Sequence, residues 1–190
     1  MKQFKKLLGT AGKAVAILLL MASPGMPGEE GKNRELDLLF AQLKRANSSD
    51  ALEIELRIVR KWSESGSPAM NLLLEKGRKA MAKGEHLAAI RHLSALVDHA
   101  PDFAEGWNAR ATAHFLAGHH ELSLNDIGRT LVLEPRHFGA ISGFVMIMEK
   151  WGNYPAALRA HEIVRDLYPA REGLDETTSR LRQKTSGLTY

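Results

Sequence analysis

An all-α fold, an α-solenoid of stacked helical hairpins, is what this sequence predicts, and three observations predict it. Gly84, Gly118 and Gly152 lie 34 residues apart. Pro101, Pro135 and Pro169 keep the same 34-residue step. Units started at Met70, Ala104 and Phe138 then align with no insertion. Self-similarity at such a period marks a repeat architecture in which each unit is one supersecondary element.

The aligned positions carry a physical logic. The fourth position of each unit reads Leu73, Trp107 and Ile141. The eighth reads Gly77, Ala111 and Val145, and the twentieth Ala89, Ser123 and Ala157. Small residues at these two places let the helices of a hairpin approach closely. Gly84, Gly118 and Gly152 end the first helix where a left-handed residue is cheap. Pro101, Pro135 and Pro169 stop the second helix, because the ring cannot sit in a helix interior. Each hairpin buries only part of its apolar face, so stacking must cover the rest.

On these residues the chain resembles the tetratricopeptide repeat (TPR) family over residues 70–169. The pattern of that family asks for Trp at position 4, small residues at 8 and 20, Gly near 15 and Pro at 32. The resemblance implies a right-handed superhelix of three TPR hairpins over 66–101, 102–135 and 136–169. Two positions depart from the pattern. Position 7, usually leucine, is Lys76, Arg110 and Phe144, and position 11, usually tyrosine, is Ala80, His114 and Met148. Lys and Arg can lay their stems on apolar surface and keep the charge in water. The stretch from Ser65 to Ala140 also resembles small secreted TPR proteins of α-proteobacteria, a group whose likeness implies no activity.

The flanks follow from composition. Lys2, Lys5 and Lys6 precede an unbroken apolar run from Ala14 to Ala22, and then comes Ser23-Pro24-Gly25. That order predicts a secretory signal over residues 1–25, with an uncleaved membrane anchor as the alternative. The run is too short for a bilayer span, which takes about 20 apolar residues. Residues 26–33, rich in Gly, Pro and Glu, read as a flexible linker. Leu36, Leu39, Phe40 and Leu43 then fall at helical spacing. Asn47-Ser48-Ser49-Asp50 offers an N-cap to a second helix, on which Leu52, Leu56, Val59 and Trp62 share a face. Residues 34–65 are therefore expected to form a degenerate helical hairpin capping the stack. Ser67-Pro68 opens the first true repeat, Ser as N-cap and Pro at the first helical position. Residues 170–184 are expected to form a polar capping helix, with Leu174 and Leu181 seven apart, followed by a tail over 185–190.

Charge and composition exclude several functions. The 26 Lys and Arg against 22 Asp and Glu give a formal charge of +4. Residues 1–25 hold four lysines and no acid, so their removal leaves zero net charge. No basic patch interleaved with aromatics marks a nucleic-acid binder. Cysteine is absent, which removes disulfides, thiolate metal sites and a lipid-bearing cysteine. The eight histidines are scattered, except for His114, His119 and His120. Adjacent residues of a turn point apart, whereas a zinc site needs converging ligands. No metal, cofactor or catalytic constellation is expected. Glu121 and Asp126 have no partner that sequence can place.

The family resemblance implies that the first helix of each repeat lines a concave surface. Its inward positions carry over to Asn71, Leu74, Arg78, Met81 and Ala82 in the first unit. The second unit gives Glu105, Asn108, Thr112, Phe115 and Leu116, and the third Gly139, Ser142, Met146, Glu149 and Lys150. The expected partner-binding residues are Arg78, Met81, Glu105, Asn108, Thr112, Phe115, Met146 and Glu149. Asn can both donate to and accept from an extended backbone, and Met and Phe give adaptable apolar contact. Some TPR proteins clamp a C-terminal carboxylate with cations at positions 2 and 6 of the third unit. Here those are Gly139 and Gly143, so that clamp is not expected. The sequence thus points to a non-catalytic, exported, periplasmic module that binds a protein or peptide in this groove as a monomer or weak oligomer. The alternative is a structural scaffold that self-associates, or joins a larger envelope complex, through its convex face or ends.

Overall fold

A computed structural model describes residues 27–187. The expected signal over 1–25 and the last three residues of the expected tail lie outside the described residues. The chain divides into residues 1–38 and 39–190. Of the first unit, residues 27–38 are described, and they are helical. All the repeats lie in the second unit.

Among the described residues the structure is helical throughout. Helix α1 spans Pro27–Leu43 and α2 spans Ser48–Trp62. Three hairpins come next, α3 (Pro68–Ala82) with α4 (His86–His99), α5 (Ala104–Leu116) with α6 (His120–Leu133), and α7 (Phe138–Lys150) with α8 (Tyr154–Leu167). Helix α9 covers Leu174–Ser186. The second helices start at His86, His120 and Tyr154 and end at His99, Leu133 and Leu167, so the 34-residue period of the sequence is the period of the structure.

Each turn between paired helices is closed by the same device. Gly84, Gly118 and Gly152 take φ of 76°, 80° and 69°. The next residue donates its N–H back into the helix, Glu85 to Ala80, His119 to His114 and Asn153 to Met148, at 2.9, 2.8 and 2.8 Å. This is the Schellman arrangement, which satisfies carbonyls that the helix end would leave open. A side chain with a Cβ would meet strain at that φ, so the glycine period is a backbone requirement.

Packing follows the small positions. Ala89 and Ala157 are fully buried, Ser123 and Ala111 nearly so. A Cβ on Gly77 would lie 2.5 Å from Leu93 Cγ, which shows how closely α3 and α4 approach. Leu74, Leu93, Leu96, Phe103, Ala109 and Ala113 form a continuous core cluster running from the first repeat into the second. Leu93 and Leu96 have no exposed surface, and truncation of such a leucine to alanine costs about 2–5 kcal/mol. First helices touch the next first helix, α3 to α5 and α5 to α7, and so make one continuous inner face.

Helix α9 packs on α8 and closes the last repeat. Leu174 and Leu181 are buried on that side, and His161 Nε2 donates to the Leu174 carbonyl at 3.0 Å. A carbonyl only accepts, so His161 carries its proton on Nε2.

The flanks differ from expectation in detail. Helix α1, Pro27–Leu43, takes in residues 27–33 of the stretch expected as a linker. Helix α9 begins at Leu174, after left-handed Gly173, and runs past Lys184 to Ser186. Ser67 sits at the N-cap position of α3 without a capping side-chain bond. Instead Asn71 Oδ1 receives the Ser65 N–H and hydroxyl at 2.9 and 2.6 Å. Asn47 does cap α2, accepting from the Ser49 and Asp50 amides at 3.0 Å each. The face of α2 is rotated from the expected one. Ala51, Ile58 and Trp62 are buried, while Leu52, Leu56 and Val59 are exposed. The helix is apolar on two adjacent sides that share Trp62, and the side with Ala51 and Ile58 turns inward.

A candidate interaction face built on the first helices

The inner face carries a polar cluster that links three repeats. Glu105, near the start of α5, is buried. Its Oε1 pairs with Arg78 Nη2 at 2.6 Å. Its Oε2 accepts from Asn108 Nδ2 at 3.0 Å and meets His137 Nε2 at 2.9 Å. His137 precedes α7 and caps it, its Nδ1 accepting the Ala140 N–H at 3.2 Å. An Nδ1 that accepts has no proton, so Nε2 carries it and donates to the carboxylate. Burial alone would push the Glu105 carboxyl up. The hydrogen bond from His137 and the positive charge of Arg78 outweigh it and hold the carboxyl below the ordinary range.

Aromatic rings close over this cluster. The Trp62 indole stacks on His137 with centroids 4.1 Å apart and planes 12° apart. Trp62 also meets Phe138 at 4.9 Å and Phe40 at 5.8 Å. Phe138 meets Tyr168, at the end of the third repeat, edge-on at 6.0 Å. Tyr168 Oη donates to Glu55 Oε2 of α2 at 3.0 Å. Burial, and then the bond to Glu55, push the Tyr168 phenol up to about 12. Arg78 Nη2 also donates to Ser63 Oγ at 3.0 Å, and the Arg136 guanidinium lies 4.6 Å above the Phe40 ring. Residues 40–63 therefore reach across the inner face to both ends of the third repeat, beyond the first repeat on which a stacked cap would rest.

The eight residues expected to bind a partner fall into four groups. Arg78, Glu105 and Asn108 are brought together and bonded through Glu105, with the Arg78 side chain still 40% exposed. Glu149 is paired with Arg180 of α9. Met81 is half-buried against the core, and Phe115 is half-buried with its ring 5.2 Å from His120. Thr112 and Met146 are exposed at the same repeat position, the ninth, of adjacent first helices, with Leu116 exposed a turn beyond Thr112. Thr112, Leu116 and Met146 thus make an accessible strip on this face.

Sequence reasoning missed His137, Phe138, Tyr168, Trp62 and Ser63 as parts of one surface. His137 has Phe103 and Arg171 one period away on either side, so no repeat signal singles it out. It also left Asp126 without a partner. In the structure Asp126 is buried, and Arg110 donates to both its oxygens at 2.8 Å while lying 4.7 Å above the Trp107 ring. The arginine at the usually apolar seventh position was the readable signal. His114 lies 3.9 Å from Asp126. Burial pushes the His114 imidazole down, Asp126 opposes it, and Arg110 and His119 add to the downward push.

Among the described residues no cluster of three metal-ligating side chains forms, and no helix is long and apolar enough to cross a membrane.

No family model matches the chain. A TPR repeat-containing protein of Rhizobium etli is 40% identical over 155 residues, covering 81% of this chain and 76% of that protein. Among solved structures, the Sgt2 TPR domain of Aspergillus fumigatus is similar, with TM-score 0.59 and 22% identity over 64% of this chain and 82% of that one. The first TPR domain of Spaghetti (RPAP3) bound to an HSP90 peptide has TM-score 0.58 and 23% identity over 65% of this chain and 96% of that one. At these identities the two structures speak for the fold alone.

Proposed function

The chain belongs to the TPR family, and from that premise we propose that it is a non-catalytic protein-interaction module that holds a segment of a partner protein on the inner face of its repeats. The observation that carries this reading is the strip of Thr112, Leu116 and Met146, exposed on adjacent first helices; Leu116 and Met146 are 47% and 52% exposed. Two apolar side chains beside a hydroxyl on neighbouring helices suit a helical or extended peptide with one apolar edge. The Spaghetti TPR domain, bound to an HSP90 peptide, supports the use of the fold for peptides. The basic start, apolar run and small-residue exit over residues 1–25 support export to a periplasm. The near-neutral chain that remains supports a protein partner over a nucleic acid.

A photo-crosslinker placed at Thr112 of the protein in its own cells tests this. One dominant protein adduct at Thr112, absent when the crosslinker sits at exposed Arg91 of α4, is the expected result. Adducts only at Arg91, or none at Thr112, would overturn the groove reading. Exposed Leu87, Leu122, Val132 and Ile163 on the second helices favour a second reading, a scaffold that self-associates through its outer face. Sedimentation separates the two, since a defined oligomer supports the scaffold.

A further inference from the structure

We propose that the rings of His137, Phe138 and Tyr168 form a binding site for an amphipathic helical segment bearing an aromatic side chain, and that residues 40–63 of this chain occupy it as an internal ligand. This site is separate from the Thr112 strip, so it stands or falls independently of what that strip binds.

The contacts of residues 40–63 are those of a ligand. Trp62 stacks on His137, packs at a tilt against Phe138 and is 5% exposed. Ser63 takes a hydrogen bond from Arg78, and Glu55 takes one from Tyr168, 113 residues away in the chain. A buried aromatic anchor ringed by polar contacts is the anatomy of an interface hot spot. The repeats, by contrast, are joined by a fixed period that residues 40–63 do not share.

The segment is attached in a way that permits release. The connection to α3 runs through Ser63–Ser67 and contains Gly66 at φ 81°. One side of α2 faces solvent, with Leu52 and Leu56 each 57% exposed. The fit is also incomplete, because Trp62 Nε1 is buried without a hydrogen-bond acceptor. A competing segment that offers an acceptor at that atom, or an aromatic without an N–H, avoids the loss. The internal copy competes at the high effective concentration of a tethered ligand, so it lowers the apparent affinity of any rival by the fraction of time the site is free.

The probe is a fluorescent synthetic peptide of residues 39–65, titrated into the full-length chain and followed by anisotropy. The wild-type chain is expected to bind it weakly. Trp62→Ala in the chain is expected to raise peptide affinity at least 10-fold, and adding His137→Ala is expected to remove the gain. Should Trp62→Ala fail to fold, Glu55→Ala, which removes the Tyr168 hydrogen bond from the internal copy alone, serves with a smaller gain of the same sign. If neither variant binds the peptide more tightly than wild type while keeping wild-type helix content, the proposal is overturned.

Discussion

The Trp62 indole lies flat on the His137 imidazole, with centroids 4.1 Å apart, while the far edge of that imidazole is bonded to Glu105. One histidine thus does three things. It caps α7 through Nδ1, orders a buried carboxylate through Nε2, and offers its face to a ring from outside the repeats. The inner face of this solenoid is consequently divided between an edge covered by residues 40–63 and an open strip at Thr112 and Met146.

Glu105 sets a pH dependence whose sign is fixed by its lowered pKa. A carboxyl held below its unfolded value contributes stability above that unfolded value, and the contribution is lost as pH falls through the folded one. Glu105→Gln is expected to unfold at lower temperature than wild type at pH 7, by a deficit on the order of 1–3 kcal/mol for hydrogen bonds to a charged group. The deficit is expected to shrink as pH falls below the ordinary carboxylate range. Thermal melts from pH 3 to 7 decide it, and two parallel curves would contradict the charge assignment.

Arg110 and Asp126 make a bidentate pair with both side chains largely buried. Removing one partner of such a pair costs about 3–5 kcal/mol, because a buried charge is left alone. Asp126→Leu and Arg110→Met are each expected to destabilise by that order in urea unfolding. The double variant is expected to be more stable than the sum of the singles predicts. Additive losses would mean that the two residues act independently.

Gly77 and Gly139 should answer oppositely to alanine. A Cβ at Gly77 meets Leu93 Cγ at 2.5 Å, and overpacking of this kind costs about 1–3 kcal/mol. That exceeds the gain of up to about 1 kcal/mol that alanine brings to a helix. At Gly139 the nearest atom is His137 Cε1 at 3.4 Å, ordinary contact on an exposed position. Gly77→Ala is expected to lower the urea midpoint, and Gly139→Ala to leave it unchanged or raise it.

The repeats were legible because their constraints are local. A left-handed glycine, a helix-stopping proline and small residues at the crossing are each demanded by backbone or contact geometry within one hairpin. The pairing of Glu55 with Tyr168 is demanded by nothing local, being 113 residues apart and outside the period. The rotation of α2 was hidden for a different reason. Leu52, Leu56 and Val59 share one face with Trp62, and Ala51 and Ile58 share an adjacent one with it, so periodicity supports two faces and only tertiary contact chooses. Family position also singled out Arg78, Glu105 and Asn108. They do stand on the inner face, but position alone cannot show that three polar side chains satisfy one another.

Native-state amide exchange of the full-length chain tests most directly whether residues 40–63 are a ligand of the inner face or a fourth unit of the stack. Amides of α2, from Ala51 to Trp62, are expected to open at a lower free energy than those of Ala89 to Val97 in α4, and Trp62→Ala to speed exchange in α2 alone. Amides of α2 and α4 exchanging together, only through global unfolding, would contradict the ligand reading.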